Sequence, residues 1–146
     1  MGDAQIPALE HANQQTNLWL KRIAAEHHLE KRHDAYSALR AVLHALRDRL
    51  TPEQAVHFGA QLPIVIRGVY YEGWRIAGKP IDDKHVDEFV QRVAAELPPQ
   101  FPRDALAMTR AVFQLLFEEL DPGETAKIID TLPAPLKALW PPAARR

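Results

Sequence analysis

The chain has 146 residues, 47% hydrophobic and 25% charged, and its 18 Lys and Arg against 19 Asp and Glu leave a net charge of -1. Without a basic surplus to neutralise phosphates, nucleic acid is not an expected partner, and the length and apolar content suit one globular domain over residues 1–146. The lack of cysteine excludes disulfides, thiolate metal sites and a cysteine nucleophile, while no run approaches the roughly 20 apolar residues of a membrane span.

At the N-terminus, "MGDAQIPALEHANQQ" has no apolar signal-peptide core, and Ile6 stands where a myristoylation motif needs Ser or Thr. The expectation is a soluble cytoplasmic protein with residues 1–12 flexible. The first helix is expected from about Asn17, with Trp19, Ile23 and His27 at helical spacing. A second starts at Asp34, a natural N-cap, and lines up Tyr36, Leu39, Val42, Leu43, Leu46 and Leu50 on one face. Its other side, Ser37, Arg40, His44 and Arg47, reads as a solvated stripe on an amphipathic surface helix.

"LTPEQAVHFGAQLP" then supplies a stop and a start. Thr51 can cap, Pro52 occupies the first helical position where its missing N–H costs nothing, and Gln54 can close a capping box. Leu62–Pro63 breaks this short third helix. "IVIRGVYY" is read as a fourth helix because Ile66, Val69 and Tyr70 follow helical spacing. "EGWRIAGKPIDDKH" is a connector, after which the pattern begins again.

Sliding the sequence by 70 residues aligns 17–70 with 87–140 without a gap. Arg22, Asp34, Arg40, Pro52 and Pro63 meet Arg92, Asp104, Arg110, Pro122 and Pro133, and "LDPGETAKIIDTLP" repeats the capping logic with Asp121 and Glu124. The expected architecture is therefore all-α: about eight helices in two tandem four-helix units related by a pseudo-twofold axis, packed as one bundle-like domain, with 141–146 flexible. One unit alone has too little core to be secure.

Few groups remain as candidate chemistry. Glu30 and His33 have the spacing of carboxylate-bridged di-iron bundles, but the aligned positions are Gln100 and Arg103, so the second pair is missing. His27, Glu30 and His33 stand only as weak metal candidates, and no cofactor is expected. His27 aligns with Leu97 and reads as a half-buried core residue, whereas His44 and His57 align with Gln114 and Lys127 and are expected to face water. The lone serine, Ser37, lies inside a helix without a nucleophile turn, and no Gly-rich phosphate loop occurs, so no catalytic residue is assigned. Arg40 and Arg110 are either surface residues, alone or paired with Glu26 or Glu96, or two equivalent anion contacts.

Two features break the internal symmetry. Met108, Ala111 and Leu115 add a second apolar stripe to the sixth helix, which is either buried on two sides or a partner surface. Tyr71, Glu72 and Trp74 have no counterparts, and with Arg67 they cluster residue types enriched at binding hot spots. Trp74 either pins the connector or belongs to an interaction surface. The reading is a non-enzymatic protein acting through a protein partner or self-association, with Arg67, Tyr71, Glu72, Trp74, Met108 and Leu115 as the candidate surface. The alternative is a small-ligand or metal-binding regulator using the groove between the two repeats.

"AVLHALRDRLTPEQAVHFGAQLP", "IRGVYYEGW", "FVQRVAAELP" and the late "LKALWP" resemble the bacterial family catalogued as domain of unknown function 2267, from about Asn17 to Pro141. The resemblance implies a small cytoplasmic all-helical protein, with no established activity, cofactor or catalytic residue to carry over.

Overall fold

The computed structural model describes residues 6–144, which form eight α-helices and no strand. They are α1 (Pro7–Glu26), α2 (Arg32–Arg49), α3 (Pro52–Gly59), α4 (Ile64–Tyr71), α5 (Val86–Glu96), α6 (Ala105–Glu119), α7 (Pro122–Asp130) and α8 (Ala134–Lys137), followed by a 3-10 turn at Pro142–Ala144. Of the termini expected to be flexible, residues 1–5 and 145–146 lie outside the described residues.

Local chemistry sets most boundaries. The Gln54 N–H donates to Thr51 Oγ1 at 3.2 Å and the Thr51 N–H donates to Gln54 Oε1 at 3.0 Å, completing the capping box that opens α3. Asp104 caps α6 by accepting from the Ala107 N–H at 2.7 Å, and Asp121 caps α7 by accepting from the Glu124 N–H at 2.9 Å. The reciprocal arm expected of Glu124 does not form, because its carboxylate lies against His57 and Lys127 at 3.1 and 3.3 Å. At the start of α5, Glu88 accepts from the Lys84 and His85 N–H groups, and these bonds hold its carboxyl below the ordinary range.

Two helix starts differ from expectation. Helix α1 begins ten residues before Asn17, with Pro7 in its first turn; the polar stretch "HANQQTN" shows little periodicity, yet Ala12 is buried. Helix α2 begins at Arg32 after an uncapped Lys31, so Asp34 lies in the first turn. There its charge complements the positive end of the helix dipole without acting as the cap.

The core is organised around α2, which touches α1, α4, α5 and α6. Surrounded in this way, it buries Ala35, Ala38, Ala41 and Ala45 as well as Leu39, Val42, Leu43 and Leu46. The small alanines let neighbouring helices approach closely. The expected solvated stripe is corrected here: Ser37, His44 and Arg47 are buried, because α4 and α5 cover that side. Helix α6 packs against α1, α2, α5 and α7, which buries its second apolar stripe too.

Large aromatics close the two short final helical segments. Tyr70 is wholly buried and its hydroxyl donates to the Ala55 carbonyl at 2.7 Å; burial holds its phenol far above the ordinary range. Trp140, equally buried, stacks on Phe113 with ring centres 4.1 Å apart.

Thr51→Ala and Asp104→Ala are each expected to lower unfolding stability by about 1 kcal/mol, whereas Lys31→Ala changes it by less than about 0.5 kcal/mol because it removes no cap. Urea denaturation of the three variants checks both statements.

Candidate functional site

The unrepeated "YYEGW" segment is built into place by three polar side chains of α2. Arg40, His44 and Arg47 occupy one face at spacings of four and three residues, and all three reach the C-terminal end of α4. Arg40 Nε donates to Glu72 Oε1 at 2.9 Å. One ring nitrogen of His44 lies 2.7 Å from the Val69 carbonyl and the other 2.9 Å from Glu96 on α5. Arg47 Nη1 donates to the Tyr70 and Glu72 carbonyls, each at 2.8 Å, while its Nε donates to Asp48. The last carbonyls of a helix have no intrahelical partner, and cations are favoured at that negative end.

Other contacts fix the adjoining elements. Arg67 spends its guanidinium on the Gly59, Ala60 and Leu62 carbonyls, closing the end of α3. Along the connector, the Ile81 N–H donates to the Asp48 carbonyl, Arg49 donates to the Asp83 carbonyl, and Arg92 holds the buried Asp83 carboxylate at 2.6 Å.

Tyr71 lies against α3, its hydroxyl donating to the Val56 carbonyl at 3.3 Å, and Trp74 packs on it with ring centres 5.6 Å apart. Gly59 permits this, since a Cβ there would sit 2.6 Å from Tyr71 Cζ. The Trp74 indole N–H is buried without a hydrogen-bond partner among the described residues. Beside it runs a shallow groove of about 500 Å³ between α3 and the connector, walled by Pro52, Val56, Ala60, Trp74 and Ile76 with Glu53 and His57 at its rim. Its walls are almost wholly apolar, and Val56 and Ile76 are 53% and 59% exposed.

The sequence-derived candidates fall into distinct groups. Tyr71 and Trp74 form one half-buried aromatic cluster, and Glu72 is exposed but paired. Arg67 adjoins them as the clasp on α3. Met108 and Leu115 are corrected: at 0% and 3% exposure they are core residues, because α6 has neighbours on both apolar sides. Neither Arg40 nor Arg110 pairs with Glu26 or Glu96; Arg40 takes Glu72, and Arg110 donates to the Ala138 carbonyl beyond α8. The expectation that His44 faces water is likewise overturned by its two buried contacts, while His57 is exposed and paired with Glu124.

His27 is half-buried, Glu30 and His33 are exposed, and among the described residues no group of three or more His, Cys, Asp or Glu could hold a metal ion. A polar cleft of about 540 Å³ separates the α1–α2 turn, with His28, Glu30, Lys31 and Asp34, from residues 98–103. Arg103 bridges these turns by donating to the His27 and His28 carbonyls at 3.0 and 2.7 Å. Ser37 Oγ lies 3.4 Å from His33 Nδ1, but within a regular helix the backbone N–H groups are consumed by the helix and cannot form an oxyanion hole.

Sequence reasoning missed Arg47, Gly59, Val56 and Ile76. The first two left a trace in the internal alignment, where Arg47 faces Phe117 and Gly59 faces Ile129, both apolar. Nothing local marked Val56 or Ile76, which meet only when the connector folds back beside α3.

Gly59→Ala should force Tyr71 off α3 and cost about 1–3 kcal/mol by overpacking, read as a lower urea midpoint and an altered near-ultraviolet dichroism from the Tyr71–Trp74 pair. The Glu72 carboxyl, bonded to Arg40, lies below its ordinary 4.5. With the folded value depressed, the tie is present above the unfolded value and lost as pH falls through the folded one. A carboxyl NMR titration should therefore place Glu72 lower in wild type than in Arg40→Gln.

Among the described residues, no helix is long and apolar enough to cross a membrane. No curated protein matches the chain. The family described as Uncharacterized conserved protein (DUF2267) matches residues 16–139, which takes in all of α2 to α8 with most of α1. By that match over most of its length, this all-helical chain belongs to the DUF2267 family.

Proposed function

We propose that the chain is a cytoplasmic, non-enzymatic helical module that works by docking protein on the groove between α3 and the connector. The observation that carries this reading is the exposure of Val56 and Ile76 in one apolar groove beside Trp74. Contiguous exposed apolar surface marks interaction sites more often than isolated exposed residues do, and Trp and Tyr are enriched among residues that dominate binding energy. The groove also rests on a held backbone, so little ordering entropy opposes docking. In this reading Trp74 lines the groove and Tyr71 packs behind it, with Arg67 and Glu72 as supports.

Ile76→Glu tests the reading without touching the core, since the side chain is mostly exposed. With immobilised full-length chain, the substitution should weaken capture of protein partners by at least about tenfold, the equivalent of 1.4 kcal/mol, and leave the thermal melt unchanged. Equal capture by wild type and variant would sink the proposal.

A further inference from the structure

We infer that His44 is a pH-sensitive latch between α2 and the C-terminal end of α5, closed while both ring nitrogens carry a proton and opened towards Glu96 when Nδ1 loses its own. The inference is independent of the groove and of what docks there. It comes from the chemistry of the two partners. Nδ1 lies 3.0 and 2.9 Å from the two carboxylate oxygens of Glu96, and Nε2 lies 2.7 Å from the Val69 carbonyl. A carboxylate and a carbonyl only accept, whereas a neutral imidazole has a single N–H. Both contacts are hydrogen bonds at once only in the imidazolium. Val69 and Glu96 also belong to the last turns of α4 and α5, the negative helix ends that favour a cation.

The ring is buried, and a charge so placed is retained only where acceptors meet it. The charged groups around it are matched. On α2, Arg40 is taken by Glu72 and Arg47 by Asp48, while Glu72 from beyond α4 and Glu96 from α5 supply the negative charge. Burial keeps the Tyr70 phenol of α4 neutral. Among the described residues, no hydrogen bond or ion pair joins His44 to α1 or α6. Loss of one proton leaves a single N–H for two acceptors. The Glu96 side chain is 35% exposed and can turn to water, so the remaining N–H stays with the Val69 carbonyl and Nδ1 presents a lone pair to the carboxylate. Glu96 is the last residue of α5, directly before the wall of the polar cleft formed by residues 98–103. The tie is therefore present on the acid side and lost as pH rises, and with it goes the hold on the end of α5.

Hydrogen exchange and long-range nitrogen NMR of the full chain, from about pH 5 to about pH 9, test the latch. Protection in the last turn of α5 and at Leu97, whose N–H donates to the Ala94 carbonyl, should fall by about tenfold beyond the intrinsic pH effect, in step with deprotonation of His44 Nδ1 and not Nε2. Glu96→Gln keeps the shape and can accept from the charged ring or donate to the neutral one. In that variant the same protection should change by less than about threefold. The inference is overturned by a ring that keeps one protonation state throughout, by an Nδ1 that loses its proton while protection holds, or by a fall equally deep in Glu96→Gln.

Discussion

The structure turns on how the C-terminal end of α4 is held. The carbonyls of Val69, Tyr70 and Glu72 would be costly to cover without donors, and α2 supplies those donors through His44 and Arg47, while Arg40 takes the exposed Glu72 carboxylate. Both ring nitrogens of His44 meet acceptors, one on α4 and one on α5, so this side chain joins three helices. Arg47 continues the chain of contacts through Asp48, whose own carbonyl accepts from Ile81 of the connector. One face of one helix thereby determines where the chain leaves α4 and where it can go next.

That constraint is what makes the two halves differ. In the second half, Arg47 is replaced by Phe117 in the internal alignment and Gly59 by Ile129, while Tyr71 and Glu72 give way to Pro141 and Pro142. The guanidinium clasp, the space under Tyr71 and the connector are thus features of the first half alone. In place of a corner, the second half ends with Trp140 stacked on Phe113 inside the core. Arg40 and Arg110 nevertheless make comparable contacts, each tied to the residue just past a short helix, Glu72 after α4 and Ala138 after α8. The exposed groove lies beside these unrepeated residues, away from the buried core.

Much of the framework was legible in the chain. The Thr51, Asp104 and Asp121 caps, the helical reading of "IVIRGVYY" and the burial of Tyr70 and Trp140 depend on neighbours a few residues away or on simple apolarity. The polar stripe of α2 was read as solvated because charged residues are rarely buried unless paired, and apart from Asp48 the acceptors of Arg40, His44 and Arg47 lie 23 to 52 residues farther along the chain. Met108 and Leu115 posed the reverse problem. Apolarity is equally compatible with a core and with an interface, and only the neighbours of α6 on both sides decide for the core. The site was half legible: Tyr71 and Trp74 stood out as unrepeated aromatics, whereas Val56 and Ile76 had no distinguishing context until α3 and the connector came together.

The sequence by itself determined an all-helical protein, its breaks at Pro52, Pro63, Pro122 and Pro133, and membership in a family through motifs spread over most of its length. These properties follow from backbone capping and periodicity, which act within a turn or two of helix. Only the tertiary structure decided that Arg47 and His44 are interior, that Gly59 exists to admit Tyr71, and that an apolar groove remains open beside Trp74. A buried cation is stable only where distant acceptors meet it, and a groove exists only between surfaces that do not close. Both conditions belong to the packing of elements and to no single stretch of chain.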